Sequence, residues 1–106
     1  MIFNLGSPLL DALVLSVVKS EDTYGYKITQ SVRVVVDISE STLYPVLRRL
    51  EKDNCLEVYD KEFQGRNRRY YKITDKGIAQ LSLYLEEWKS YKEKIDKVFD
   101  GGIVNG

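Results

Sequence analysis

The sequence predicts a mostly α-helical chain with a small β-hairpin, an α+β fold in which the hairpin precedes one long helix. Three observations lead there. Apolar residues recur at steps of three and four in residues 9–18, 43–50 and 78–99. Aromatic and β-branched residues alternate with polar ones at 56–59 and 69–73, and a polar run containing Gly65 separates those two stretches. At 106 residues the chain has the size of one domain, with room for a modest core and not for a large buried cleft.

Ser7-Pro8 opens the first helix, with Ser7 placed to cap and Pro8 at the first helical position, where its missing N–H costs nothing. Leu9, Leu10, Leu13, Val14, Val17 and Val18 make this helix apolar around much of its girth, so it is expected to be largely buried, in part against a second subunit. After the polar break Ser20-Glu21-Asp22-Thr23, residues 25–31 form a short second helix. Residues 32–38 are valine-dense and predict a short strand that needs partners.

Residues 39–55 form the third helix. Turning about 100° per residue from Leu43, the side chains of Val46, Leu47 and Leu50 fall with it on one side, and Ser41, Tyr44, Pro45, Arg48 and Lys52 fall opposite. Pro45 cannot donate to residue 41, which softens the first turn. Arg49 lies on the flank, placed to pair with Asp53 four residues on. Cys55, at an apolar helix end, reads as a small buried hydrophobe.

Residues 56–59 and 69–73 are the strands of a hairpin, and the loop expected between them, residues 60–68, is longer than a tight turn. Strand alternation sets Arg68 with Tyr70 on one side and Arg69 with Tyr71 on the other. Thr74-Asp75 caps a final helix over residues 76–99. In it Ile78, Leu81, Leu85, Trp88, Ile95 and Phe99 follow a heptad seam, with Lys92 in the remaining place and Tyr84, Tyr91 and Val98 widening the stripe. Asp100-Gly101-Gly102 ends the helix, and the tail beyond is expected to fray.

Lys+Arg and Asp+Glu number 16 each, so the total charge selects no partner. Its distribution does. Within residues 61–76, Lys61, Arg66, Arg68, Arg69, Lys72 and Lys76 stand against Glu62 and Asp75, a net charge of +4. One cysteine gives no internal disulfide, no secretory pattern opens the chain, and residues 9–18 are too short and too interrupted by Asp11 and Ser16 to cross a bilayer. A cytoplasmic protein without a membrane partner is expected. The absence of histidine, of a cysteine cluster, of a phosphate-cradling glycine loop and of a nucleophile beside a base argues against an enzyme, and neither a metal nor a cofactor is expected.

The order helix, helix, short strand, helix, basic hairpin is that of a winged helix-turn-helix, whose third helix enters the major groove of double-stranded DNA while the wing reaches the adjacent backbone or minor groove. Ser39, Ser41, Thr42, Tyr44, Arg48 and Lys52 on the helix and Arg66, Arg68 and Arg69 on the wing are the candidate DNA contacts. Two elements directed at one ligand carry this reading. The expected division is a DNA-binding part over residues 1–75 and a dimerisation helix with its tail over 76–106.

The same residues resemble a known family. Gly25-Tyr26, the run Ser39-Glu40-Ser41-Thr42-Leu43-Tyr44-Pro45 leading into Leu47-Arg48-Arg49-Leu50-Glu51, then Gly65-Arg66-Asn67-Arg68-Arg69-Tyr70-Tyr71 and Ile73-Thr74-Asp75-Lys76-Gly77 are similar to the PadR-like transcriptional regulators. The resemblance covers roughly residues 9–88. It implies a homodimeric, usually repressing, bacterial regulator that dimerises through its C-terminal helix, here through Ile78, Leu81, Leu85, Trp88, Tyr91, Ile95 and Phe99. The single C-terminal helix resembles a shorter subgroup with multidrug-sensing members, in which a tryptophan of each subunit flanks a flat aromatic drug in a pore between subunits; a small aromatic or phenolic effector is the corresponding expectation for this chain. Trp88, in Glu86-Glu87-Trp88-Lys89-Ser90, matches that tryptophan, and from its heptad position it reads equally as plain interface packing. Two departures are Asn54, where the family commonly has glycine, and Glu40-Ser41, where Pro-Gly is frequent. Asn54 is able to take the left-handed conformation at a helix end. Glu40 sets an acid where phosphates are expected. The competing reading is a winged-helix interaction module that pairs through its last helix and selects no DNA sequence.

Overall fold

The computed structural model describes residues 6–101. They form α1 (Ser7–Ser20), β1 (Thr23–Tyr24), α2 (Gly25–Val32), α3 (Glu40–Lys52), β2 (Leu56–Phe63), β3 (Arg66–Ile73) and α4 (Asp75–Phe99). The tail expected to fray lies outside the described residues from 102 onward.

Helix α1 begins one residue earlier than expected. Gly6, with φ at +81°, turns the chain into the helix and takes the capping position, so Ser7 is helical rather than the cap. Val14, Leu15 and Val18 of α1 meet Ile28 and Val32 of α2, Leu43, Leu47 and Leu50 of α3, and Leu81 of α4 in one core. Leu56 and Tyr71 close it from the sheet.

The strand expected at residues 32–38 does not form. The N–H of Arg33 donates to Thr29 O, and those of Val35 and Val36 donate to Val32 O, so the backbone groups a sheet would need are spent on closing α2. Val32 and Ile38 are buried among the helices, while Val34 is 85% exposed. The third strand is instead β1, whose Thr23 and Tyr24 pair with Tyr71 and Tyr70 and occupy the free edge of β3. The antiparallel order is β1-β3-β2.

The hairpin also differs from expectation. β2 and β3 run in register from Leu56 opposite Ile73 to Phe63 opposite Arg66, leaving only Gln64-Gly65 as the turn. Both turn residues have positive φ, 53° and 78°, the combination that matches the twist of the flanking strands. Residues 60–62 and 66–68 are polar because this end of the ribbon stands clear of the core, and opposite charges face each other across the strands, as Asp60 and Arg69 do in register.

Asn54 takes the left-handed conformation, φ 63°, at the end of α3. Thr74 then joins this corner to α4: its hydroxyl donates to Asn54 O at 2.6 Å and accepts from Gly77 N at 2.9 Å. A Cβ on Gly77 would lie 2.2 Å from the Cys55 carbonyl oxygen, so only glycine lets α4 approach the start of β2 this closely. Cys55 is buried, as its sequence setting suggested.

Two pairings change. Leu81, assigned to a dimer seam, is 2% exposed and belongs to the core of its own subunit, because the first turns of α4 pack on α1. Arg49 does not pair with Asp53. It reaches across to Asp11 on α1, a buried carboxylate 3% exposed, with Nη1 donating to Oδ2 at 3.0 Å and Nη2 to Oδ1. An acid buried in an apolar helix needs a cation more than an exposed Asp53 does.

Candidate nucleic-acid interface

Ser39 caps α3, its hydroxyl accepting from Thr42 N at 3.2 Å, and the hydroxyls of Ser41 and Thr42 lie 3.1 and 2.9 Å from the same oxygen. The first turn of α3 therefore presents an exposed cluster of three hydroxyls at a capped helix start. One turn on, Arg48 stacks over the Tyr44 ring at 5.9 Å, and both are exposed. Lys52 extends the same side.

Strand alternation divides the wing arginines as expected. Arg69 shares a face with buried Tyr71, turned toward α3, whereas Arg66 and Arg68 share the opposite face with Tyr70. That opposite face is aromatic: Tyr70 meets Tyr24 edge-on at 5.5 Å and stacks on Tyr59 at 5.7 Å, and Lys61 lies over Tyr70. Tyr59 donates to Asp22 at 2.8 Å, a bond that raises the Tyr59 pKa above the usual phenol range. Arg68 is held between the rings of Tyr24 and Phe63, at 4.0 and 4.2 Å, and its Nη1 is buried without a hydrogen-bond partner. Arg66 is exposed beside the turn.

Between α3 and the wing runs a cleft of about 630 Å³ to which Glu40, Tyr44, Arg68, Arg69 and Tyr71 contribute, together with Tyr24 and Phe63. It brings together three of the expected contacts, Tyr44, Arg68 and Arg69. Ser39, Ser41, Thr42, Arg48, Lys52 and Arg66 lie outside it, on the exposed surface of α3 or at the wing tip. Burial pushes the Tyr71 phenol up in pKa, against the pull of neighbouring Arg69. The sequence reading missed Tyr24 and Phe63, although the alternation of residues 59–63 would have set Phe63 on the face of Arg68 had the strand been extended that far.

A second feature lies between α1 and α4. Two adjoining cavities of about 210 and 280 Å³ share Leu9, Ala12, Tyr84 and Trp88 as lining, with Tyr91 in the first and Val35 and Leu85 in the second. Trp88 is 41% exposed and its ring centroid lies 6.3 Å from that of Tyr91. Ile78, Leu85, Tyr91, Val98 and Phe99 are also exposed along α4, and Ile95 is partly buried. Lys92 leans to Asp96 at 3.5 Å. No helix among the described residues is long and apolar enough to cross a membrane.

Comparison with known proteins gives a consistent outcome. The model of the transcriptional regulator PadR-like family matches residues 14–83. An uncharacterised protein X of Lysinibacillus sphaericus is 39% identical over 97 residues, covering 87% of this chain and 89% of that protein. Among solved structures, smu.1704 from Streptococcus mutans superposes with a TM-score of 0.90 at 41% identity, covering 96% of each chain. A PadR family transcription regulator from Clostridium difficile superposes with a TM-score of 0.79 at 30% identity, covering 89% of this chain and 99% of the other.

Proposed function

Because the chain belongs to the PadR-like family of transcriptional regulators, we propose that it is a sequence-specific DNA-binding repressor that works as a homodimer on a pseudo-palindromic operator. In this reading residues 1–75 read the DNA and residues 76–106 dimerise, although the first turns of α4 also complete the core. A small aromatic or phenolic molecule bound between α1 and α4 releases the operator.

The observation that supports the DNA reading is the shared cleft: α3 lines one side with Tyr44 and the wing lines the other with Arg68 and Arg69, while Arg48 and Lys52 stand exposed on α3 outside it. The hydroxyl cluster of Ser39, Ser41 and Thr42 and the Tyr44–Arg48 pair suit base edges in the major groove. Arg66 and Arg69 suit phosphates, as does Lys52. The dimer reading is supported by Trp88, Tyr91, Val98 and Phe99, large apolar side chains exposed along one helix. Leu85 and Ile78 add to that surface, and Ile95 continues it. The effector reading is supported by the apolar cavities beside Trp88.

The test is a gel shift at several salt concentrations. Phosphate contacts release counterions, so operator affinity should fall steeply between low and physiological salt. Arg66→Ala should weaken binding on every duplex, and Ser41→Ala or Tyr44→Phe should change base preference. Identical effects of the two classes would sink the assignment of roles.

A further inference from the structure

We propose that Asp11 is the positioning residue of α3 and that Tyr84 makes its hold on Arg49 answer to what fills the groove between α1 and α4; the second half rests on the effector reading above.

Helix α3 is held in the molecule chiefly by Leu43, Leu47 and Leu50, all buried. Such contacts are non-directional and fix the distance of a helix better than its rotation or its slide along its axis. The directional side-chain bond from α3 to another helix, among the described residues, is the two-pronged contact of Arg49 with Asp11. Arg49 neighbours Arg48 and follows Tyr44 by five residues, so a small rotation of α3 about this anchor re-aims the side chains proposed to enter the groove of DNA. The Asp11 contact also holds the guanidinium firmly charged, with a pKa above its ordinary value.

Asp11 has a second suitor. The Tyr84 hydroxyl donates to the same oxygen, Oδ2, at 3.2 Å that accepts from Arg49 Nη1 at 3.0 Å. One carboxylate oxygen therefore joins α1, α3 and α4. The ring of Tyr84 in turn forms a wall of both cavities of the groove, one helical turn before Trp88. A molecule entering the groove meets the Tyr84 ring directly, and any displacement of that ring moves the hydroxyl off Oδ2. The Asp11 carboxylate then loses one of the two side chains that fix its orientation, and the anchor of α3 loosens. The groove and α3 are thus biased through one shared acceptor, a route of coupling that needs no movement of the core.

The experiment uses the full chain and the variants Asp11→Asn and Tyr84→Phe. In the free protein, amide hydrogen exchange across residues 43–52 should quicken by about tenfold in Asp11→Asn and by a smaller factor in Tyr84→Phe, while the amides of α2 and of the hairpin stay within about twofold of wild type. Unchanged exchange of α3 in both variants overturns the proposal, as does a uniform quickening of the whole chain, which marks general destabilisation. On DNA, Asp11→Asn should weaken binding to the selected operator by about tenfold and to random duplex by less than twofold, since misaim costs base contacts and spares phosphate contacts. An equal loss on both duplexes overturns it.

For Tyr84 the probe is 8-anilinonaphthalene-1-sulfonate, followed through Trp88 fluorescence. At probe concentrations that saturate each protein equally by the Trp88 signal, filling the groove should quicken α3 exchange in the wild type and leave it unchanged in Tyr84→Phe. An equal response in the variant overturns the Tyr84 link. If Trp88 of the wild type does not respond to the probe, the effector reading and the Tyr84 half fall together, and the Asp11 half is decided by exchange alone. If the wild type selects no operator, the DNA reading falls, and the exchange results still decide both halves.

Discussion

The guanidinium of Arg68 lies 4.0 Å from the centroid of the Tyr24 ring, so a residue of the wing grips the short strand that leads into α2. Phe63 closes the other side of the cation at 4.2 Å. This arrangement ties the free end of the hairpin to the helical body. A planar guanidinium fits between two rings, whereas an ammonium is a compact point charge. Arg68→Lys should therefore destabilise the fold by about 1–2 kcal/mol in urea unfolding, the range of a partly desolvated cation–π contact.

The same contrast separates positioning from phosphate contact on the wing. Arg66→Ala and Arg69→Ala each remove an exposed cation and should each lower the slope of log affinity against log salt by about 0.9. Arg68→Lys keeps its charge and should leave that slope unchanged while weakening affinity at every salt concentration.

Gly77→Ala should destabilise the protein by about 1–3 kcal/mol despite the better helix propensity of alanine, because overpacking against backbone leaves little to yield. The added methyl would meet the Cys55 carbonyl at 2.2 Å and the Ile73 side chain at 2.8 Å. Thermal melting checks this; an unchanged or raised Tm contradicts the close approach of α4 to β2.

Burial raises the Cys55 thiol pKa above its ordinary value. The folded state thus favours the neutral thiol, so its contribution to stability is complete below the ordinary thiol range and declines as pH rises through and beyond it. Alkylation by iodoacetamide at pH 8 should be slow in the folded chain and fast in urea; equal rates contradict the burial.

Much of this was legible in the sequence. The faces of α3 and the opposed faces of Arg68 and Arg69 follow from spacing, and the cap at Thr74 from residue type, because these are local properties; the left-handed Asn54 follows from the family resemblance. The rest depended on partners. Residues 32–38 have the composition of a strand, but Thr23 and Tyr24 pair with β3 instead, and the N–H groups of Arg33, Val35 and Val36 are spent on closing α2. Residues 60–68 look like a loop because, Phe63 apart, a ribbon projecting into water carries polar side chains on both faces. Arg49 pairs across 38 residues with Asp11, and the one hint was an acid inside an otherwise apolar helix. Leu81 keeps heptad spacing with Leu85 and Trp88, yet spacing does not say which turns of a long helix face its own subunit.

The most direct test of the central claim is selection of duplexes from a random pool by the full chain, followed by sequencing. The account predicts enrichment of two inverted half-sites with centres about 34 Å apart, or a multiple of that, as a two-fold dimer reading one groove face requires. A pool that stays random, or a single enriched site without inverted symmetry, would contradict it.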